Sequence, residues 1–399
     1  MLLRHLTVAL GLVGLCATPT LAAETPGVTA TEIKIGSIFP FSGPASSLGN
    51  TGKGLIAYVK SINDRGGISG RKIDFITYDD AYSPPKAVEQ ARKLAESDEV
   101  AFMFGQLGTP SNAATIKYLN GKKIPDAFIM TGANKFANFQ EYPYTTTGLP
   151  SYDTEARVYA RFAGKSYPNG KIAILFQNDD LGKDFVNAFK DVLKDKAAAQ
   201  LTAIGYEITD PTVDSQIVNL KASGAQSLLI AATPKFAAQA LRKLNDIGWK
   251  PLTMINMVSS SVSATLQPVG LDKVEGVVSA AFFKDPNDPK WADDAGMKEY
   301  RAFFDKYLAG SDFADLNYLT GFQQGKILEQ LLNQCGNDLT RDNVVKQSRS
   351  IRGLQLPTAL PGIVVNTDSG NSKAWTQLQL QRWNGTVWEA FGDVLSGAE

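Results

Sequence analysis

Two stretches far apart in the chain follow one pattern. The apolar run VAFMFGQL leads into GTPSNAATIKYL at Gly108, and the apolar run QSLLIA leads into ATPKFAAQALRKL at Ala232. Each reads as a buried strand, a Thr-Pro turn and a helical pattern that stops near a proline, Pro125 or Pro251. Parallel strands cannot be joined by a tight hairpin; they need a crossover, and right-handed helical crossovers build a doubly wound sheet. A chain that does this twice is expected to hold two similar α/β lobes.

The remaining sequence keeps the same alternation. EIKIGSIFPF reads as a strand, GKGLIAYVKSIND as a helix with Leu55, Ile56, Val59 and Ile62 on its apolar face, and KIDFITYDD as the second strand. A helix opened by Pro84 and Pro85, the strand VAFMFG, the helix at Pro110 and the strand DAFIMTG complete the first series. After Pro150 the alternation restarts with a helix from Asp153 to about Lys165, followed by KIAILFQ, GKDFVNAFKDVLK, LTAIGYEI, DSQIVNLKA, QSLLIA, its helix, and LTMINMV. The two Thr-Pro turns fall at equivalent places. Threonine at the N-cap accepts from first-turn N–H groups, and proline at the first helical position has its φ preset, so both are expected to be capped helix starts. Loops after the C-terminal ends of parallel strands also face the crevice where ligands bind, so both turns are expected to line a cleft between the lobes.

At 399 residues and 44% hydrophobic content, the chain is long enough for about two domains. Lys plus Arg and Asp plus Glu are equal at 40 each, so no excess positive charge marks a nucleic-acid surface, and no nucleic-acid partner is expected. The N-terminus carries Arg4 and His5, an apolar run from Leu6 to Ala17, and small residues at Ala22 and Ala23. This is the layout of a secretory signal peptide, residues 1–23, cleaved after Ala22 or Ala23. The run is shorter than the ~20 residues that a membrane span requires, and Leu15 stands before Cys16 where a lipoprotein would carry a small residue. The mature protein is expected to be soluble and exported to the periplasm.

Removing that leader takes away the single His and one of the two Cys. The mature chain then has no His for a metal, a triad or proton shuttling, and no internal disulfide. No metal, cofactor or catalytic residue is expected, and neither a Gly-x-Ser-x-Gly elbow nor a phosphate-binding Gly loop is present. Cys335, before Gly336, reads as a packed thiol at a helix end.

Five segments together resemble one family: EIKIGSIFPFSGPASSLG, INDRGGISGRKIDFITYDDAYSPPKAVEQARKL, FGQLGTPSNAA, QNDDLGKDFVNAFK and DPTVDSQIVNLKASGAQSLLI. They are similar, in order, to type I periplasmic solute-binding proteins of ABC importers, the group that includes the leucine/isoleucine/valine-binding proteins. The resemblance implies two Rossmann-like lobes joined by three hinge crossings, closing over a small ligand. It places lobe one at residues 24–148 and 285–352 and lobe two at 149–284 and 353–399. The crossings are expected near Thr147 to Ser151, Ala281 to Asp285 and Arg352 to Leu356. It also implies a monomer that delivers its ligand to an ABC permease and ATPase complex in the inner membrane.

The family's ligand contacts carry over unevenly. Its first cleft loop corresponds to GPASSLG, with Ser47. A carboxylate seat corresponds to Leu107, Gly108 and Thr109, and its second turn to Thr131, Gly132 and Ala133, where Ala133 replaces a hydroxyl residue. Tyr152, Asn178, Asp179 and Thr233 are expected to supply polar contacts from lobe two, with Leu181 where the family carries a Tyr. The acid that meets a ligand ammonium is missing from Asn256, Met257, Val258 and Ser259, and Phe282 adds another apolar wall. These departures point to an aromatic or aliphatic monocarboxylate, with a branched-chain amino acid or small amide as the alternative ligand and a periplasmic sensor as the alternative role.

Overall fold

The computed structural model describes residues 25–367 and 373–397; the expected leader, residues 1–23, lies outside the described residues. The first series is β1 (Glu32–Phe39), α1 (Gly49–Asp64), β2 (Lys72–Asp79), α2 (Pro84–Arg92), β3 (Phe102–Phe104), α3 (Thr109–Gly121), β4 (Asp126–Ile129) and β5 (Thr145–Thr147). The second begins with α4 (Tyr152–Ser166), β6 (Ile172–Gln177), α5 (Asp180–Leu193) and the one-turn α6 (Ala197–Gln200). It continues through β7 (Leu201–Tyr206), α7 (Asp214–Ala222), β8 (Ser227–Ala231), α8 (Pro234–Asp246), β9 (Leu252–Ile255) and β10 (Val278–Ala281). Three helices, α9 (Ala295–Tyr307), α10 (Leu316–Cys335) and α11 (Arg341–Ser348), precede the final strands β11 (Gln377–Trp383) and β12 (Trp388–Ser396).

The first sheet is parallel in the order β2-β1-β3-β4-β5, and the second runs β12-β11-β10-β9-β8-β6-β7. Within the second sheet β6 to β10 are parallel, while β11 is antiparallel to both of its neighbours. Counted from its own first strand, each sheet has the order second, first, third, fourth, fifth. The order therefore reverses beside β1 and again beside β6, where doubly wound sheets open a crevice at their strand C-termini. The chain changes sheet three times: between β5 and α4, between β10 and α9, and between α11 and β11. Helices α9 to α11 return to the first lobe, where α9 and α10 pack on α1 and α11 on β4.

The apolar face of α1 is buried through Leu55, Tyr58, Val59 and Ile62, whereas Ile56, expected on that face, is exposed. The partner is α10, and the two helices approach so closely that a Cβ on Gly321 would sit 2.3 Å from the Thr51 carbonyl oxygen. Only glycine permits this crossing. Its consequence lies beside the crossing, where Thr51 of α1 and Thr320 of α10 both line the cleft. Cys335 closes α10, with Gly336 at φ 57° as the C-cap, and burial pushes its thiol up to about 12. It is a packed and unreactive thiol.

Candidate functional site

The C-terminal loops of the two sheets enclose a cavity with about 660 Å³ free of protein atoms, part of it open to solvent. Leu48, Leu107, Gly108, Thr109 and Met130 form its first-lobe wall, after β1, β3 and β4. Leu181, Thr233, Met257, Val258, Ser260 and Ser261 form the second-lobe wall, after β6, β8 and β9. Leu149, Tyr152, Phe282 and Phe283 come from the crossings, and Leu316, Asn317 and Thr320 from the first turns of α10. Among the described residues, no Asp, Glu, Lys, Arg or His lies on this wall.

Both Thr-Pro turns reach the cavity, but neither threonine caps its helix. Gly108, at φ 115°, occupies the N-cap of α3; Thr233 occupies that of α8, and neither turn makes a side-chain cap bond. The Thr109 hydroxyl instead lies 2.9 Å from that of Thr131 and 3.3 Å from that of Tyr152, because the strand β4 loop and the first crossing run directly behind it. Thr131 in turn accepts the Ala133 N–H at 3.2 Å. Burial pushes the Tyr152 phenol up to about 12, so it stays protonated in this network. The Gly108 N–H is engaged by the Met130 carbonyl at 3.3 Å, so of the expected seat the Thr109 hydroxyl and the first turn of α3 are what face the cavity. That helix start carries positive potential and suits an anion.

Of the residues singled out from sequence, Leu107, Gly108, Thr109, Tyr152, Leu181, Thr233, Met257, Val258 and Phe282 lie on the cavity wall. The others do not. Ser47 faces a neighbouring open groove with Thr209 and Lys235, because the turn Ser46–Leu48 points Leu48 inward instead. Thr131, Gly132 and Ala133 stand behind Thr109, with Gly132 packed under the Pro150 carbonyl and the Tyr152 ring. Asn178 is exposed and donates to Glu207 at 2.5 Å. Asp179 caps α5 through the Leu181 N–H and holds the Gln177 amide, and desolvation beside three tyrosines pushes it up to about 6. Asn256 is buried behind Thr233, accepting the Ala232 N–H at 3.3 Å.

Two residues that the sequence pattern passed over shape the wall from behind. Glu155, inside α4, accepts the Met257 N–H at 2.6 Å and lies 2.8 Å from the Tyr159 hydroxyl. Desolvation pushes its carboxyl up to about 8, the two hydrogen bonds opposing that rise. Asp315, at the N-cap of α10, accepts from Asn50 of α1 at 2.7 Å and from Ser261 of the opposite lobe at 2.9 Å. It thereby ties the two walls together. Lys135 with Asp180, and the Asn134 N–H with Asp184, join the lobes at a second point.

A cavity between two doubly wound lobes, walled by strand-end loops and a helix N-terminus, is the geometry of a ligand clamp. The model of the periplasmic binding protein family matches residues 32–386. The chain belongs to the periplasmic binding protein family. Among relatives of this binding protein, the Leu/Ile/Val-binding protein homolog 7 of Brucella suis is 23% identical over 384 residues, spanning 93% of this chain and 94% of the relative. A branched chain amino acid ABC transporter structure from Thermus thermophilus, with bound valine, superposes with a TM-score of 0.81 at 14% identity, covering 92% and 97% of the two chains. A solute binding protein of an ABC transporter from R. palustris, in complex with 4-hydroxybenzoate, gives 0.75 at 16% identity, covering 92% and 97%. The fold of this binding protein is thus shared by proteins with chemically different ligands, and its own ligand class rests on its own wall.

Proposed function

We propose that the protein is the periplasmic substrate-binding subunit of an ABC importer, that it captures a small aromatic or aliphatic monocarboxylate between its lobes, and that it catalyses no reaction. In this reading it acts as a monomer, reaches the periplasm through residues 1–23, and hands its ligand to a permease and ATPase complex. Closure occurs about the crossings near Thr147 to Ser151, Ala281 to Asp285 and Arg352 to Leu356.

The observation that carries the ligand class is the absence, among the described residues, of any Asp, Glu, Lys, Arg or His from the cavity wall, combined with the start of α3 and the Thr109 hydroxyl on it. One negative charge can be met by a helix N-terminus and a hydroxyl. An α-ammonium enclosed without an acid is costly. Asp179, the nearest candidate acid by sequence, is committed to capping α5 and to Gln177. The large apolar share of the wall, from Leu48 and Met130 to Met257, Val258 and Phe282, suits a hydrocarbon body.

A branched-chain amino acid is the second reading, favoured by the names of the Brucella relatives and by the valine in the Thermus structure. Titration calorimetry of matched pairs decides between them: 4-methylpentanoate against leucine, and 3-phenylpropanoate against phenylalanine. The acid is expected to bind at least about tenfold more tightly than the amino acid, a difference of about 1.4 kcal/mol. Tighter binding of leucine or phenylalanine would overturn the organic-acid reading in favour of the second.

A further inference from the structure

Thr233 differs from the other polar residues of the cavity. It is 1% exposed, and it is the one wall residue, among the described residues, whose buried side-chain oxygen has no hydrogen-bond partner. The neighbouring hydroxyls have partners within the protein: Thr109 has Thr131 and Tyr152, to which it can act as acceptor, while Ser260 donates to the Met257 carbonyl, Ser261 to Asp315 and Thr320 to the Leu316 carbonyl. The Tyr206 hydroxyl accepts the Thr233 N–H at 3.3 Å and lies 3.1 Å from the Gln177 side-chain amide oxygen. Tyr206 feels the Thr233 hydroxyl as well, although no bond between the two side chains meets hydrogen-bond geometry. At most it takes the Thr233 proton, since its own is directed at Gln177. The lone pairs of Thr233 Oγ1 are unclaimed.

Leaving a buried hydroxyl without a partner is unfavourable, and valine would fill the same shape without it. The same corner holds a second unspent group. Asn256, which grips the adjacent Ala232 N–H, is fully buried with its side-chain Nδ2 unpaired.

Resting on the monocarboxylate reading above, we infer that Thr233 Oγ1 is a specificity-determining contact for a second polar group on the ligand, a hydroxyl that donates to it. The ligand class is then a hydroxy-substituted monocarboxylate, with its carboxylate at the first-lobe helix start and its hydroxyl read by the second lobe. An unsubstituted hydrocarbon acid would bury Thr233 with no donor to accept. A ligand hydroxyl that donates to it satisfies it.

The test is titration calorimetry with phenylacetate and its 2-, 3- and 4-hydroxy isomers, and with 4-methylpentanoate against 2-hydroxy-4-methylpentanoate, on the wild type, Thr233→Val and Thr233→Ser. At least one hydroxy acid is expected to bind the wild type tenfold or more tighter than its parent. That ratio should collapse to near one in Thr233→Val and survive in Thr233→Ser, which keeps the oxygen. Because the readout is a ratio within each protein, a general change in affinity or fold stability of the valine variant cancels. No hydroxyl preference in the wild type, or a preference that persists in Thr233→Val, would overturn the inference while leaving the organic-acid reading intact. Binding of neither parent nor hydroxy acids would defeat that reading, and the inference with it.

Discussion

The two lobes use the same strand order and the same Thr-Pro turn, yet they treat polarity in opposite ways. In lobe one the polar groups gather at the cavity: Thr131 lies against the Thr109 hydroxyl at the start of α3, where Tyr152 joins them from the first crossing. In lobe two they are drawn backward. Glu155 holds Met257 from behind, Asp179 caps α5, and the face left to the cavity is Leu181, Met257 and Val258 with the hydroxyl residues Thr233, Ser260 and Ser261, the two serines bonded to the Met257 carbonyl and to Asp315. A repeated motif thus fixes where a wall stands, while its neighbours decide which way its polar atoms face.

The largest expected effect probes the hidden carboxylate of lobe two. A carboxyl raised to about 8 keeps its proton in the folded state, whereas the unfolded chain gives it up near the ordinary glutamate value. The folded state therefore binds more protons between about pH 4.5 and 8, and stability should fall as pH rises through that window, then level off. The fall is on the order of a few kcal/mol. Glu155→Gln keeps an acceptor for the Met257 N–H and removes the titration, so chemical denaturation across pH should show a flatter slope. Asp126, in β4 of lobe one, is buried with both carboxylate oxygens unpaired and is pushed by burial up to about 7, so it adds its own share to the wild-type slope. An unchanged slope in Glu155→Gln would mean that the second wall is not held by a buried acid.

Next in size is the hydroxyl of lobe one. Thr109→Val should weaken binding of a monocarboxylate by about 1.5 to 3 kcal/mol, the range for a hydrogen bond to a charged group. The primary amide of the same acid should bind weakly to the wild type and lose less on that substitution. Equal losses for acid and amide by calorimetry would erase the distinction between the two walls.

Much of this was legible in the sequence, for local reasons. Strands and helices follow from short periodic runs, and the residues just after β3 and β8 had to reach the crevice because parallel strands deliver their C-terminal loops there. The capping role given to Thr109 and Thr233 was misjudged, because a threonine before proline can turn its hydroxyl to a cap or to a cavity and only the neighbouring loops decide. Leu316, Asn317 and Thr320 were invisible for a different reason. They arrive through the second crossing and through the close approach of α1 and α10 at Gly321, neither of which has a local signature at the α10 start. Glu155 was passed over because a carboxylate within a helix ordinarily faces solvent, and only packing of α4 under the β9 loop turns it inward.

The opposed walls make one claim that a single measurement addresses, the direction in which a ligand lies. In a crystal structure of the complex with 3-phenylpropanoate, the carboxylate should sit at hydrogen-bond distance, about 2.7 to 3.0 Å, from Thr109 Oγ1 at the start of α3. Its ring should rest on Met257, Val258 and Phe282. A carboxylate found at Thr233 with the ring against Leu107 and Met130 would contradict the account.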